Sequence, residues 1–422
     1  MNIFANKILS NSLWMILEKL ISILGLIFVN SYMAKYVGPE NFGKLVFTTS
    51  IFLFVQTFSL FGTQNILFKR LSMKSDSGLK LAFASQIMRR VLYLVASIVA
   101  LSYLYMSADY IVFVFAVCNC IATYFIVSDV YTIYNNSQLN SFVNVISNVV
   151  GLSLALILRY VLVKFEFNIN YMAIPVIVIA MVPYFIKKIY FLKKENKIIV
   201  SNSFKYNKYL IFTGGSLVLS TLSITLYTQI SNILLAKYTS YSDLGVYNIA
   251  VTIGGAWAFV NLSLITSFFS RIYSKNNSEI EKKYLTILHY IIISVSVFVY
   301  VFLYIYGDFI IRNLYGEQYL LSLNIVPYAV VATMLSALGT ISYRYIIKYS
   351  GYRYLSIKML VVSLLSMPLS YYFIKYYGIL GAMKCLILLE LISLTVANYF
   401  FRDGLIMKMH FNLLKAIFGV VK

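Results

Sequence analysis

The sequence predicts an all-α polytopic membrane protein with about twelve transmembrane helices, arranged as two six-helix halves. Three observations lead to this fold class. Hydrophobic residues make up 61% of the 422 residues and charged residues 12%, whereas soluble domains have roughly 45–50% and about 25%. Uncharged apolar runs of ~20 residues, the length that spans a bilayer as a helix, recur along the whole chain. One short loop sequence also occurs twice, almost half the chain apart.

The apolar runs give twelve predicted spans. The first span has no small-residue cleavage site behind it and is too long for a signal-peptide core, so we expect an uncleaved anchor. The basic stretch 193–208 is predicted to link an N-terminal half, 1–192, to a C-terminal half, 209–404. Residues 405–422 are predicted to form an amphipathic cytoplasmic tail, either in the membrane interface or as a frayed end. The spans are 11–33, 44–66, 84–106, 111–134, 141–163, 171–191, 209–235, 244–269, 284–306, 322–343, 355–375 and 379–401.

Basic residues lie mostly on one predicted side of the membrane. The N-terminus and every second loop hold 26 of the 35 Lys and Arg residues, the other loops hold 8, and Lys19 lies within the first span. A cytoplasmic excess of Lys and Arg is the usual topology signal, so both termini are predicted to be cytoplasmic. This placement explains the net charge of +21 without a nucleic-acid partner.

The chain is poor in residues that hold metals. Its three Cys all lie in predicted spans, and it has only two His. These residues provide neither a disulfide framework nor a zinc site. The sequence therefore predicts no metal and no cofactor.

The repeated loop supports a duplicated architecture. "AKYVGPENFG", residues 34–43, follows the first span, and "AKYTSYSDLG", residues 236–245, follows the seventh. Ala, Lys, Tyr and the last Gly recur at an offset of 202 residues, and Asn30 likewise corresponds to Asn232. This offset covers six spans, an even number, so both copies face the same side. The repeat predicts two halves related by a pseudo-twofold axis along the membrane normal, as in transporters that alternate access.

The helices that flank the repeated loop carry polar stripes. In span 7, polar residues recur at intervals of four, three and four, which places them on one face of a helix. Ser and Thr also serve as ordinary packing residues between membrane helices, so that interpretation remains open. Because four such helices carry a stripe, we predict a hydrated cavity lined by spans 1, 2, 7 and 8. The stripes comprise Lys19 and Asn30; Ser50, Thr57 and Gln64; Thr221, Thr225, Thr228 and Asn232; and Asn248, Thr252, Ser263, Thr266 and Ser270.

Three stretches resemble a known family. They are "YMAKYVGPENFGKLVFTTSI" after the first span, its counterpart "LLAKYTSYSDLGVYNIA", and "LYGEQYLLSLNIVPYAVVATMLSALGT" entering the tenth span. In these stretches the chain resembles the polysaccharide flippases (Wzx type) of the multidrug/oligosaccharidyl-lipid/polysaccharide exporter superfamily. The resemblance covers essentially the whole chain and implies the MATE-like fold of that superfamily. Asn232 stands where some relatives have an acidic residue, so ion coupling at that position is not implied.

The resemblance also implies a function. It indicates a carrier in the bacterial inner membrane that moves an undecaprenyl-diphosphate-linked oligosaccharide, the repeat unit of O-antigen or a similar surface polysaccharide. Transport would run from the cytoplasmic to the periplasmic leaflet by alternating access, coupled in some members to an ion gradient. The implied partners are the lipid-linked oligosaccharide, the lipid bilayer, a polysaccharide polymerase and a chain-length regulator.

The candidate site residues each have two interpretations. Lys19 either snorkels to the interface or supplies a cation for the substrate diphosphate. Basic residues at the cytoplasmic helix ends follow from the topology rule or form a rim that binds phosphate. The ion-coupling candidates Glu18, Asp129 and Glu390 are either protonatable coupling sites or acids kept neutral by burial. The predicted substrate path comprises Lys19, Asn30, Gln64, Lys69, Arg70, Thr225, Thr228, Asn232, Thr252 and Arg271.

Other functions fit the sequence less well. A multidrug exporter of the same superfamily would favour an acidic cavity for cationic drugs, and spans 2, 7 and 8 contain no acid. A membrane polysaccharide polymerase or glycosyltransferase needs a long outer loop or a cluster of catalytic acids. The longest predicted outer loop, about 307–321, contains only Asp308, Arg312 and Glu317 as charged residues. A lipid II flippase would be expected to carry two more helices. The sequence therefore predicts a flippase and not an enzyme.

Overall fold

A computed structural model describes residues 3–194, 203–274 and 278–417. For most of residues 3–30, and for 203–205, 216, 270, 274, 278 and 414–417, the backbone alone is described. The described residues form helices and short connections, with no β-strand among them. The α-helices are α1 (Ile3–Leu60), α2 (Thr63–Met73), α3 (Ser75–Ser107), α4 (Tyr110–Ser128), α5 (Tyr131–Ser137), α6 (Ser141–Lys164), α7 (Ile174–Lys194), α8 (Ser203–Tyr238), α9 (Tyr241–Gly255), α10 (Ala258–Ser274), α11 (Ser278–Leu314), α12 (Val326–Lys348), α13 (Tyr352–Leu394), α14 (Val396–Tyr399) and α15 (Leu405–Ile417). Two 3-10 helices, Ile169–Ala173 and Glu317–Asn324, precede α7 and α12.

Helices cover all twelve predicted spans, which confirms the fold class. Among the described residues, 10 helical segments are long and apolar enough to cross a membrane. The longest of them, Tyr352–Tyr399, contains predicted span 11 and all but the last two residues of span 12, and its helix is broken at Gly378 (φ 55°, ψ −133°). The first predicted span, 11–33, lies in the N-terminal part of α1. Most of its side chains lie outside the described residues, and the first of the 10 segments begins at Ser31. The chain is a multi-pass membrane protein.

The two copies of the repeated loop turn by different means. In the first copy, α1 is broken at Gly38, whose φ of 78° and ψ of 167° suit glycine alone. Pro39 then starts the next helical segment, where a missing N–H costs little. In the second copy, Ser240 is the N-cap of α9, and its side chain accepts a hydrogen bond from the N–H of Asp243 at 3.0 Å. The first turn thus depends on a backbone conformation that glycine adopts, and the second depends on a side chain that caps the following helix.

Several predicted spans contain a break within the membrane-spanning part. Span 2 is interrupted at Phe61 and Gly62, between α1 and α2. Span 4 is interrupted between α4 and α5, and span 8 between α9 and α10. At the last break, the indole N–H of Trp257 donates to the carbonyl oxygen of Gly254 at 2.7 Å. Such breaks leave backbone groups that nearby side chains must satisfy, because lipid cannot.

Contacts divide the chain into two compact units, unit 1 (Met1–Leu226) and unit 2 (Tyr227–Lys422). The boundary falls inside α8 and not in the predicted linker 193–208. Residues 193–194 and 203–208 are helical, and the rest of that linker lies outside the described residues. The first part of α8 belongs to unit 1 because it packs against the end of α1, where Thr225 meets Thr57.

The outer faces of the helices suit lipid. Large apolar side chains are widely exposed, including Met106 (86%), Tyr304 (75%) and Phe400 (79%). A soluble protein rarely exposes so much contiguous apolar surface. In a bilayer these side chains lie against acyl chains, so their exposure is expected.

Candidate functional site

Two of the predicted polar stripes meet inside unit 1. The hydroxyl of Thr57 on α1 lies 3.0 Å from that of Thr225 on α8. Each hydroxyl is also within hydrogen-bond distance of a backbone carbonyl one turn earlier, on Leu53 and Thr221 respectively, and one of the two donates to the other hydroxyl. The stripes of spans 2 and 7 are therefore in direct contact at this level. A threonine pair of this kind can pack two helices or present hydroxyls to a polar substrate.

The three predicted substrate-path residues of α2 are exposed. Gln64, Lys69 and Arg70 all lie on the accessible face of this short helix. The Nε of Arg70 donates to the hydroxyl of Ser77 at 2.8 Å, which holds the guanidinium near the start of α3. The predicted topology places this end of α2 at the cytoplasmic surface.

Asp129 lies in the break between α4 and α5 and is already paired. Its Oδ2 is 2.5 Å from Nζ of Lys187, and both side chains are largely buried. Thr132 joins the pair by donating its N–H and its hydroxyl to the carboxylate at 3.0 and 2.7 Å. The carboxylate thus accepts hydrogen bonds from the first turn of α5 and neutralises a buried lysine. Sequence reasoning missed Lys187 because it was counted with the basic residues of a cytoplasmic loop.

Arg89 on α3 is a second buried cation in the same region. Its side chain is fully buried, and its Nε donates to the hydroxyl of Thr63 at 2.8 Å. The two terminal guanidinium nitrogens have no hydrogen-bond partner among the described residues, although Asp129 is near enough to interact electrostatically. Arg89 and Lys187 are therefore two buried cations that interact with the same acid, Asp129.

In unit 2, the predicted substrate-path residues differ in exposure. Asn232 is buried, and its amide nitrogen donates to the side-chain oxygen of Gln229 at 3.0 Å. Thr228 and Arg271 are exposed, and Thr252 is half-buried. The part of the span 7 stripe that lies in unit 2 is thus only partly accessible.

Glu390 on α13 is a buried acid next to a small cavity. The phenol of Tyr227 on α8 donates to its Oε1 at 2.6 Å, and Ser336 on α12 is a second hydrogen-bond partner. Among the described residues, no cation lies within ion-pair distance of this carboxylate, in contrast to Asp129. The cavity has a volume of about 160 Å³ and is lined by Val251, Ala329, Ala332, Thr333, Ser336, Leu386 and Glu390. It has room for a few water molecules beside the carboxylate.

Lys358 on α13 is the nearest identified cation to Glu390. It is 7% exposed, and its Nζ donates to Oδ1 of Asn398 at 2.9 Å. It interacts with Glu390 electrostatically and not through a direct ion pair. Sequence reasoning also missed this lysine, although its position inside the predicted span 355–375 was a signal that it is not a loop residue.

The side chains of Glu18, Lys19 and Asn30 lie outside the described residues. The backbone of α1 places all three on one continuous helix. Their roles in the substrate path and in ion coupling stay predictions.

Comparison with known families decides the classification. The family described as "Polysaccharide biosynthesis protein" matches residues 32–324, which is more than half of the chain. The chain belongs to this family. No curated protein matches the sequence.

Solved structures show the same fold for this polysaccharide biosynthesis protein. The lipid II flippase MurJ, in an inward closed conformation, gives a TM-score of 0.67 at 15% identity, covering 96% of this chain and 91% of that one. An inward-facing multidrug resistance MATE family transporter of the MOP superfamily gives 0.63 at 15% identity, covering 93% and 96%. A MOP superfamily transporter from Pyrococcus furiosus gives 0.58 at 14% identity, covering 97% and 96%. The family member therefore has the fold of MOP superfamily transporters, as the sequence predicted.

Proposed function

We propose that this protein is a flippase for undecaprenyl-diphosphate-linked oligosaccharide repeat units of O-antigen or a similar surface polysaccharide. It moves them from the cytoplasmic to the periplasmic leaflet of a bacterial inner membrane by alternating access. The observation that carries the proposal is a polysaccharide biosynthesis family match on a chain with a transporter fold. A polysaccharide pathway needs such a step because its precursor is built on one side of a membrane and used on the other. One neighbour in fold, a lipid II flippase, is a precedent for a lipid-linked substrate.

The deciding experiment is deletion of the gene in its host. We expect one surface polysaccharide to disappear while its lipid-linked repeat unit accumulates, as measured by mass spectrometry of lipid extracts. Complementation should restore the polysaccharide only if the polymerase and chain-length regulator of the same pathway are present. Normal polysaccharide with new drug sensitivity would contradict the proposal and favour a multidrug exporter.

The proposed orientation has both termini in the cytoplasm. Reporter fusions after Lys74, Lys194 and Arg353 should give cytoplasmic signals, and fusions near Pro39 and Asp243 periplasmic signals. A periplasmic signal at Lys194 would contradict the arrangement of two six-helix halves, because the linker after Lys194 must join two cytoplasmic ends.

We also propose that Lys19 supplies positive charge to the substrate diphosphate. A lysine inside a membrane span costs insertion energy, which is tolerated more readily where water or an anion is near. Attraction at ~4 Å and an effective dielectric near 20 is roughly 4 kcal/mol for a pair of unit charges before desolvation. Lys19→Ala should therefore strongly reduce surface polysaccharide at an unchanged protein level, while Lys19→Arg retains much of it. Full export by Lys19→Ala would show that the residue only snorkels.

For coupling to an ion gradient we propose Glu390 over Asp129, with Glu18 as the third candidate. Asp129 already has Lys187 at 2.5 Å, so binding or releasing a proton there would break a buried ion pair. Glu390 has only hydroxyl partners within hydrogen-bond distance and a cavity beside it. A carboxyl group in that setting can gain and lose a proton without losing an ion-pair partner.

A further inference from the structure

A second pocket lies in unit 2, away from Glu390, and we call it the tail pocket. It is formed where the C-terminal helix α15 packs against the first turns of α11 and the last turns of α12, and its volume is about 220 Å³. The predicted topology places it at the cytoplasmic surface. Its lining residues are Lys282, Leu285, Thr286, Tyr345, Leu405, Lys408, Met409, Asn412 and Leu413.

Tertiary contacts hold α15 in place. Ile406 is fully buried and Met409 is 8% exposed, and both belong to the apolar core of unit 2. The phenol of Tyr290 on α11 donates to the carbonyl oxygen of Leu413 at 3.1 Å. His410 lies 3.1 Å from the phenol of Tyr399. The walls of the tail pocket are therefore fixed by packing.

Two lysines from different helices provide the charge of the pocket. Lys282 on α11 and Lys408 on α15 are both exposed, and neither forms an ion pair with any described residue. Burial lowers the pKa of His410 to about 4, so this neighbour is neutral at pH 7. The amide of Asn412 adds a hydrogen-bond donor at the same pocket.

The nearby acids do not cancel this charge. Glu281 is buried, does not line the pocket, and is neutralised by Lys348, whose Nζ is 2.5 Å from its Oε2. Glu279 is an exposed residue near the start of α11 and is not part of the lining either. Two positive charges therefore remain available to a ligand.

The remaining walls are apolar, formed by Leu285, Leu405, Met409 and Leu413 together with Tyr345. A ligand that matches both features carries a negative group and an apolar part. We propose that the tail pocket binds an anionic phospholipid of the cytoplasmic leaflet, with the phosphate between Lys282 and Lys408 and the glycerol and upper acyl carbons along the apolar wall. Basic residues at this surface are attracted to anionic lipid in general. The pocket adds a defined binding site for one lipid headgroup.

The test measures lipid binding to the delipidated full-length chain in a zwitterionic detergent, by native mass spectrometry and by titration. We expect phosphatidylglycerol to bind more tightly than phosphatidylcholine. Lys282→Ala and Lys408→Ala should each weaken phosphatidylglycerol about 5-fold, and the double variant about 25-fold. The matched control is Lys283→Ala, because Lys283 is exposed on the next helical position but does not line the pocket. It should bind as the unaltered chain does.

Two further measurements keep the proposal falsifiable. The double variant Lys282→Arg with Lys408→Arg preserves the charge and should retain most of the binding. Inorganic phosphate should compete poorly, because it lacks the apolar part. Phosphatidylcholine binding as tightly as phosphatidylglycerol, a double alanine variant that binds like the unaltered chain, or free phosphate competing as well as the lipid would each overturn the proposal. The last result would make the pocket a site for a soluble phosphate.

Discussion

Asp129 in unit 1 and Glu390 in unit 2 are both acids inside apolar helices, yet the structure surrounds them differently. Asp129 has an ion-pair partner, Lys187, and accepts hydrogen bonds from the N–H and the hydroxyl of Thr132 in the first turn of the following helix. Glu390 has a tyrosine hydroxyl at 2.6 Å and an adjoining cavity, and the nearby cation, Lys358, donates its hydrogen bond to Asn398 instead.

This difference separates two uses of a buried carboxylate. An acid that neutralises a buried lysine must remain charged, because losing its charge leaves the lysine without its partner. An acid held by hydroxyls can be accommodated in both protonation states, because a hydroxyl can donate or accept. The comparison therefore supports the proposal that Glu390, and not Asp129, is the coupling site.

The largest expected effect is on the stability of unit 1. Lys187→Ala leaves Asp129 buried without its ion-pair partner and should lower the free energy of unfolding by about 3–5 kcal/mol. The readout is the thermal midpoint and the folded yield by fluorescence-detected size-exclusion chromatography. The double variant Asp129→Asn with Lys187→Met removes both charges and should lose much less. Equal losses in the single and double variants would contradict the role of the pair.

Glu390→Gln should change transport strongly and stability little, in contrast to Lys187→Ala. Glutamine fills the same space and resembles the protonated acid, so the proposed cycle of Glu390 requires the fold to tolerate it. We expect a stability change below about 1 kcal/mol and at least a tenfold loss of gradient-driven transport, equal to about 1.4 kcal/mol. Transport is measured per folded molecule in proteoliposomes with an imposed pH gradient. A loss of stability as large as that of Lys187→Ala would make Glu390 the structural partner of Lys358 and remove the coupling proposal.

A smaller effect is expected for the hydroxyl that holds Glu390. Tyr227→Phe removes the donor at 2.6 Å from the carboxylate and should lower the free energy of unfolding by about 1 kcal/mol. Transport driven by a pH gradient should fall as well, because the carboxylate loses a group that orients it. Tyr209→Phe, at an exposed tyrosine of the same helix, is the control and should change neither quantity. If both variants behave alike, the hydrogen bond does not position Glu390.

The smallest stability effects concern the exposed cations at corresponding positions of the two halves. Lys69→Ala and Arg271→Ala should each change the free energy of unfolding by less than about 0.5 kcal/mol, as exposed residues usually do. If both residues belong to a rim that binds substrate phosphate, each variant should still reduce export at low substrate supply. Unchanged export in both would assign these residues to membrane topology alone.

The span predictions succeeded because length and apolarity are local properties of the sequence. Breaks inside spans 2, 4 and 8 were not predicted, because the apolar runs continue through all three of them. The stripe residues illustrate the same limit. Spacing alone put Thr57 and Thr225 on polar faces, but only the packing of α8 against α1 showed that the two hydroxyls meet.

Charged residues show most clearly what could not be predicted from the sequence. The count of cytoplasmic Lys and Arg included Arg89, Lys187 and Lys358, and all three side chains are buried in the structure. All three lie inside helices that extend beyond the apolar runs, since α3 begins at Ser75, α7 ends at Lys194 and α13 begins at Tyr352. A basic residue near a span end has the same sequence context whether it lies in a headgroup layer or in a core.

The sequence by itself determined that this chain is a helical, multi-pass membrane protein, and its family. About twenty apolar residues in a row can be accommodated as a membrane helix whatever their neighbours are, so the fold class is written locally. Only the tertiary structure decided which side chains contact the two buried acids. Asp129 lies 58 residues from Lys187, and Glu390 lies 163 residues from Tyr227. No local sequence pattern predicts contacts across such sequence separations, because the packing of the helices determines which side chains contact a buried acid.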